Sequence, residues 1–221
     1  MDETSSLAFP MIRTSSRAAS WHVPPMAADV RTILDGILDN AEALETVSAR
    51  SYQHQLGFFK YVLQEHASGE CLRLHVWESG RMLAEDIHSH CSTFHSRVLA
   101  GSIEENQYSL TEGSTFNMFA YTRQSGDQIC ARFVGTADAH LLDSRKLSPG
   151  DAYIRMHAQL HNISAVAPNT VTVSRWQRRQ FDALVLKHRA AIASDCERGN
   201  SLNVRSVAAK LNSLRELLAE T

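Results

Sequence analysis

Ile87-His88-Ser89-His90, followed after Cys91-Ser92-Thr93 by Phe94-His95-Ser96-Arg97-Val98-Leu99-Ala100-Gly101, is the stretch on which the fold turns. On a strand, His88 and His90 fall at i and i+2 and share one face a few ångströms apart, which is chelating geometry. The same spacing also describes two imidazoles on an ordinary solvated strand, and H-x-H alone leaves both readings open.

Outward from this stretch, the chain after Gly69 breaks into short runs rich in β-branched and aromatic residues. These are Cys71–Glu78, His95–Leu110, Thr115–Thr122, Ile129–Thr136, His140–Leu147, Ala152–Met156 and Val171–Trp176, with turns at Ser79-Gly80, Ser125-Gly126-Asp127 and Pro149-Gly150-Asp151. The texture predicts a mainly β, antiparallel domain of about seven or eight strands, a sandwich or barrel. Before it, Val30, Ile33, Leu34, Ile37, Leu38, Ala41 and Leu44 recur at helical spacing and predict one amphipathic helix over Ala27–Ala49. The apolar cluster over Tyr52–Gln64 reads as a second helix or a helix running into a strand. After Arg175 the spacing of Phe181, Leu184, Val185, Leu186 and Ile192, and of Val204, Val207, Ala208, Leu211, Leu214, Leu217 and Leu218, predicts C-terminal helices.

The expected organisation is a loosely ordered segment 1–25, N-terminal helices over 26–66, a β-barrel over 67–177 and C-terminal helices over 178–221. At 221 residues the chain fits one domain with helical extensions. With 22 Lys and Arg against 24 Asp and Glu there is no basic surplus to attract nucleic acid. No apolar run approaches the roughly 18 residues of a membrane span, and the N-terminal stretch has no apolar core of a signal peptide. Cys71, Cys91, Cys130 and Cys196 form no C-x-x-C pair, as expected of free thiols in the cytoplasm. Five of the eleven histidines, His88, His90, His95, His157 and His161, lie in two short windows, which marks those windows for chemistry.

The first window resembles the first motif of the cupin superfamily, H-x-H, three or four residues, an acid, six residues and Gly. His88, His90 and Gly101 match; Phe94 stands at the acid position, and Met82 replaces the Gly expected six positions before the first His. His95 is one residue out of phase and faces the other side of a regular strand. The second window, Leu147 to Ile163, is similar to the second cupin motif, with Pro149-Gly150-Asp151 opening a strand and His161 eleven residues after the Gly. Met156-His157-Ala158 replaces the usual Pro-x-Gly turn, which places His157 in the turn, and Ala165 stands where an Asn is usual.

The resemblance implies a cupin-like jelly roll and a metal held by His88, His90 and His161 without a carboxylate. Three neutral imidazoles suit Fe(II), Ni(II), Cu(II) or Zn(II) and leave positions open for O2 and a chelating anionic substrate. A non-acid at the fourth position is similar to the thiol dioxygenase branch related to cysteine dioxygenase. That branch implies Fe(II) and the O2-dependent oxidation of a small thiol or amino acid derivative. The Cys–Tyr cross-link of the animal-type enzyme cannot form, since Phe94 stands at the Cys position and the last tyrosine, Tyr153, precedes His161. A Zn(II) or Mn(II) isomerase or hydrolase, or a metal-holding binding module, uses the same ligands.

An anionic substrate calls for a cation, and Arg73, Arg97, Arg155 and His157 are within reach in sequence. Arg73 shares a strand face with His75 and Trp77; the competing reading buries Leu72, Leu74 and Val76 and leaves Arg73 in solvent. Tyr153 is a proton donor to bound oxygen or a structural residue at a strand start. Phe94, Phe116, Met118, Phe119 and Phe133 line a dry pocket or simply belong to the core. The C-terminal helices cap the barrel or form a homodimer contact.

Overall fold

The structure of the protein, a computed structural model, describes residues 23–80, 85–123, 129–191, 199 and 201–220. The expectations for residues 1–22, for Met82, for the Ser125-Gly126-Asp127 turn, for Ile192 and for Cys196 lie outside the described residues.

Two antiparallel sheets pack face to face, with helices at both ends of the chain. Helix α1 (Ala27–Leu38) turns Val30, Leu34 and Ile37 inward, and α2 (Ala41–Arg50) adds Val47. The first sheet consists of β1 (Tyr52–Gln53), β2 (Phe59–Glu65), β3 (Cys71–Trp77), β5 (Phe94–Ala100), β8 (Ala152–Arg155) and β10 (Thr170–Trp176), in the order β1-β2-β3-β10-β5-β8. The second contains β4 (Ile87–His88), β6 (Ile103–Arg123), β7 (Ile129–Leu147), β9 (Leu160–Val166) and β11 (Ala183–His188), in the order β11-β4-β9-β6-β7. Helix α3 (Val204–Leu217) closes the described chain, capped by Asn203, whose side chain accepts from the Arg205 N–H at 2.9 Å.

The outer face of the first sheet is the apolar core. Tyr61, Leu63, Leu72, Leu74, Val76, Leu99, Val171 and Val173 pack there beneath Val30, Leu34 and Ile37 of α1 and Val207, Leu211 and Leu214 of α3. Between the sheets, Phe58, Trp77 and Val98 meet Ile103, Leu147, Ile163 and Val166. Both faces of β3 are therefore covered, one by helices and the other by the second sheet.

Three expectations are corrected. The single helix over Ala27–Ala49 is two, because Asn40 leaves the helical conformation and its side chain accepts from the Ala43 N–H at 3.1 Å, capping a new helix. The span 26–66 ends in strand: Tyr61 and Leu63 point to the helices while Val62 packs between the sheets with Cys71, Phe94 and Trp176, an alternation only a strand permits. The span 178–221 opens on strand β11, not on a helix. Its Val185 pairs with His88 and with Phe119, so it is held between β4 and β6, and buried Leu186 packs with Ile87 and Leu160. A short apolar run has no period long enough to tell helix from strand.

Within the barrel, the run His95–Leu110 breaks at Gly101, whose φ of 71° turns the chain from β5 into β6. A Cβ there would lie 2.7 Å from the Thr170 Cα, so only glycine fits. The four runs from His95–Leu110 to His140–Leu147 become one short strand and a long β6–β7 hairpin, and Leu160–Val166 is a strand the sequence reading did not assign.

Candidate metal centre

β4 pairs with β9 so that His88 stands directly opposite His161. His90 lies just past the end of β4, and its backbone N–H donates to the His157 carbonyl at 3.1 Å. Strand alternation and this following turn together bring the pair to one side, with the His88 and His90 ring centroids 4.8 Å apart. One ring nitrogen from each of His88, His90 and His161 lies within 4.8 Å of the other two, and His90 Nε2 is 2.8 Å from His161 Nε2. Ligands at right angles on bonds of about 2.0–2.1 Å lie about 3 Å apart, so the spacing fits a transition-metal ion.

The hydrogen bonds behind the rings fit the same ion. His161 Nδ1 donates to the Glu105 carboxylate at 2.8 Å, and His88 Nδ1 donates to the Asp86 carbonyl at 2.9 Å. Each bond fixes the tautomer that leaves Nε2 as a lone pair. Burial is the main cause that pushes the His161 imidazole down to about 4, against the opposing pull of Glu105. Burial, with His88 and His161 next to it, also holds His90 well below the ordinary histidine value. Both are neutral near pH 7, the protonation state a metal requires.

Glu105 is the residue the sequence reading missed. It is fully buried; besides His161 it accepts from Arg155 Nε at 2.6 Å and from Arg145 Nη2 at 3.1 Å, and it pairs with Arg155 Nη2. Desolvation works against its charge, but the bonds from His161 and Arg155 prevail and bring its carboxyl down to about 2. Its one sequence signal was its phase with Ile103 on the strand after Gly101, and the adjacent Glu104 hid it. Arg155, a candidate substrate cation by sequence, is 2% exposed and is committed to Glu105.

Phe94 stands where the resemblance puts an acid: its ring is 4.9 Å from that of His90 and stacks on Trp176 at 4.3 Å. His95 shares the other face of β5 with its partners Ile154 and Arg175, away from Phe94. Arg73 lies on the inner face, with its guanidinium carbon 4.7 Å over the Trp176 ring, which in turn is 5.2 Å from His90. Tyr153 sits behind Phe94 at 6.3 Å, and burial raises its phenol to about 12. His157 is in the turn, but its ring stacks on Phe181 at 3.6 Å, so it reaches the centre through its backbone carbonyl. The five-residue apolar pocket does not assemble. Phe116 and Met118 pack around the Ile87–Leu160–Leu186 cluster, and Phe119 meets Phe133, which is 54% exposed.

No protein-family profile and no curated protein matches the chain. Among solved structures it is similar to KdgF from Halomonas sp., at 15% identity over 59% of this chain and 88% of that one, with a TM-score of 0.36. It is similar to the DMSP lyase DddQ from Ruegeria pomeroyi DSS-3 at 15% identity and a TM-score of 0.36, covering 61% of this chain but only 54% of DddQ. A conserved protein with a double-stranded β-helix domain from Klebsiella pneumoniae is similar at 15% identity over 65% of this chain and 95% of that one, with a TM-score of 0.34.

Proposed function

We propose that the chain is a metal-dependent oxygenase that uses Fe(II) and O2 to oxidise a small chelating substrate such as a thiol or an amino acid derivative. The observation that carries this reading is the convergence of His88, His90 and His161 with no carboxylate among them. An ion held by three neutral imidazoles keeps its full divalent charge and open positions, and Fe(II) in that setting supplies O2 chemistry.

The protein's residues do the positioning. Glu105 holds the His161 ring and, fully buried with both oxygens already accepting from Arg145, Arg155 and His161, is not free to act as a base for hydrolysis. Phe94 and Trp176 present ring surface on the side of His90 where a fourth protein ligand would stand, keeping that side dry. Arg73 holds the anionic end of the substrate, and Tyr153 keeps its phenolic proton at any physiological pH, as a donor must.

The test is metal content of anaerobically purified protein combined with O2 consumption on small thiols and amino acid derivatives. Close to one iron per chain, lost on changing His88, His90 or His161 to Ala, and O2 uptake that depends on iron support the reading. Zinc or manganese with turnover in the absence of O2 would replace it by Lewis-acid isomerase or hydrolase chemistry. Metal-dependent ligand affinity without turnover would make the chain a binding module. Phe94→Glu adds a carboxylate to the centre and is expected to retain metal while O2-dependent turnover falls.

A further inference from the structure

The inner face of the first sheet carries donors that the histidine centre does not use. Lys60 on β2 pairs across the sheet with His75 on β3. Its ammonium donates to the Tyr52 hydroxyl at 3.0 Å and lies 5.1 Å from the Tyr52 ring and 5.9 Å from the Phe58 ring. Among the described residues no carboxylate pairs with it. On the neighbouring strands, Arg73 Nε and Trp176 Nε1 are buried without an acceptor among the described residues. These two side chains are stacked on one another, and Trp176 abuts His90 and is 9% exposed. The buried acid of the interior, Glu105, is already committed to Arg145, Arg155 and His161.

Burying donors without acceptors, and cations without a counter-charge, is costly and calls for a partner. Arg73 Nε and Trp176 Nε1 are donors that lack an acceptor, and Lys60 is a cation that donates to a neutral hydroxyl, so the missing partner is an acceptor that carries negative charge. Burial, ahead of the opposing influence of Tyr52 and with Arg73 nearby, holds the Lys60 ammonium below its ordinary pKa, and an anion bound beside it would offset that cost.

We propose that Lys60, Arg73 and the Trp176 indole N–H form an oxyanion subsite beside the histidine centre. It takes the carboxylate or sulfonate of a small organic acid whose other end reaches the metal. The role of that other end rests on the metal reading above; the subsite itself does not need the ion.

Calorimetric titration of EDTA-treated full-length protein tests this with propanoate, propane-1-sulfonate and, as the neutral control, propanamide. The anions are expected to bind and the amide is not; binding of only one anion assigns carboxylate or sulfonate as the class. Lys60→Met and Arg73→Met are each expected to weaken anion binding about tenfold, and Trp176→Phe, which keeps the ring but removes the donor, about threefold. Lys60→Gln serves as the second variant if Lys60→Met does not fold. Equal affinity of the wild type for propanamide and propanoate, or unchanged anion affinity in both folded Lys60 variants, would overturn the proposal. Metal uptake measured in parallel separates the two readings. Anion binding in a protein that takes up no metal keeps the subsite and sinks the metal centre, whereas metal uptake without anion preference does the reverse.

Discussion

The two faces of the first sheet are built from the same strands and solve opposite problems. On β3, Leu72, Leu74 and Val76 enter an apolar layer under α1 and α3, while Arg73, His75 and Trp77 face the second sheet. Stability on the outer face comes from area and close packing, which many apolar side chains can supply. On the inner face, Ser96 Oγ lies 2.9 Å from Ser174 Oγ and His75 is kept neutral by burial, while Arg73 Nε and Trp176 Nε1 are left without an acceptor among the described residues. A strand buried on both faces can thus devote one to the core and keep the other for chemistry.

The contrast breaks most visibly at Glu105. Glu105→Gln leaves Arg155 buried with its counter-charge removed and is expected to cost about 3–5 kcal/mol in urea unfolding. It should also weaken metal binding, since His161 loses the group that fixes its tautomer. Glu105→Leu combined with Arg155→Met should recover much of the stability but not the metal affinity; if both return, the carboxylate does not orient the ring.

On the outer face, Leu74→Ala removes a fully buried side chain and is expected to cost about 2–5 kcal/mol with metal content per folded chain unchanged. A parallel loss of metal would mean that the two faces are mechanically coupled.

The pH dependence of the metal-free protein follows from the ionisable groups buried between the sheets. His161 has a folded-state pKa of about 4 against 6.5 for an unperturbed histidine, so the unfolded chain binds the proton first. Its contribution is therefore present above pH 6.5 and is lost as pH falls toward 4, by up to about 3 kcal/mol. Glu105, at about 2 against 4.5, extends the loss at lower pH. Urea titrations of wild type and His161→Phe between pH 7 and 4 should differ in slope, and parallel curves would contradict the assignment.

The smallest effect is expected at His157, whose ring stacks on Phe181 away from both faces. His157→Ala should cost about 0.5–1.5 kcal/mol, leaving metal content unchanged because the backbone bond to His90 survives. Metal loss equal to that of His161→Ala would place the side chain, not the backbone, at the centre.

Sequence alone carried the antiparallel β character, the flanking helices at Val30–Ile37 and Val207–Leu214, the turn at Pro149-Gly150-Asp151, where Gly150 has a φ of 94°, and the pairing of two histidines at i and i+2. These are local properties, set by periodicity, by positive φ and by the alternation of a strand. The fold in three dimensions made strands of Tyr52–Gln53, Phe59–Glu65 and Ala183–His188, since a short apolar run takes its form from the neighbours that pair with it. It alone set Glu105 against His161, 56 residues apart in sequence, and Arg73 against Trp176. Such pairs depend on which strands become neighbours and in what register, and no local pattern encodes that.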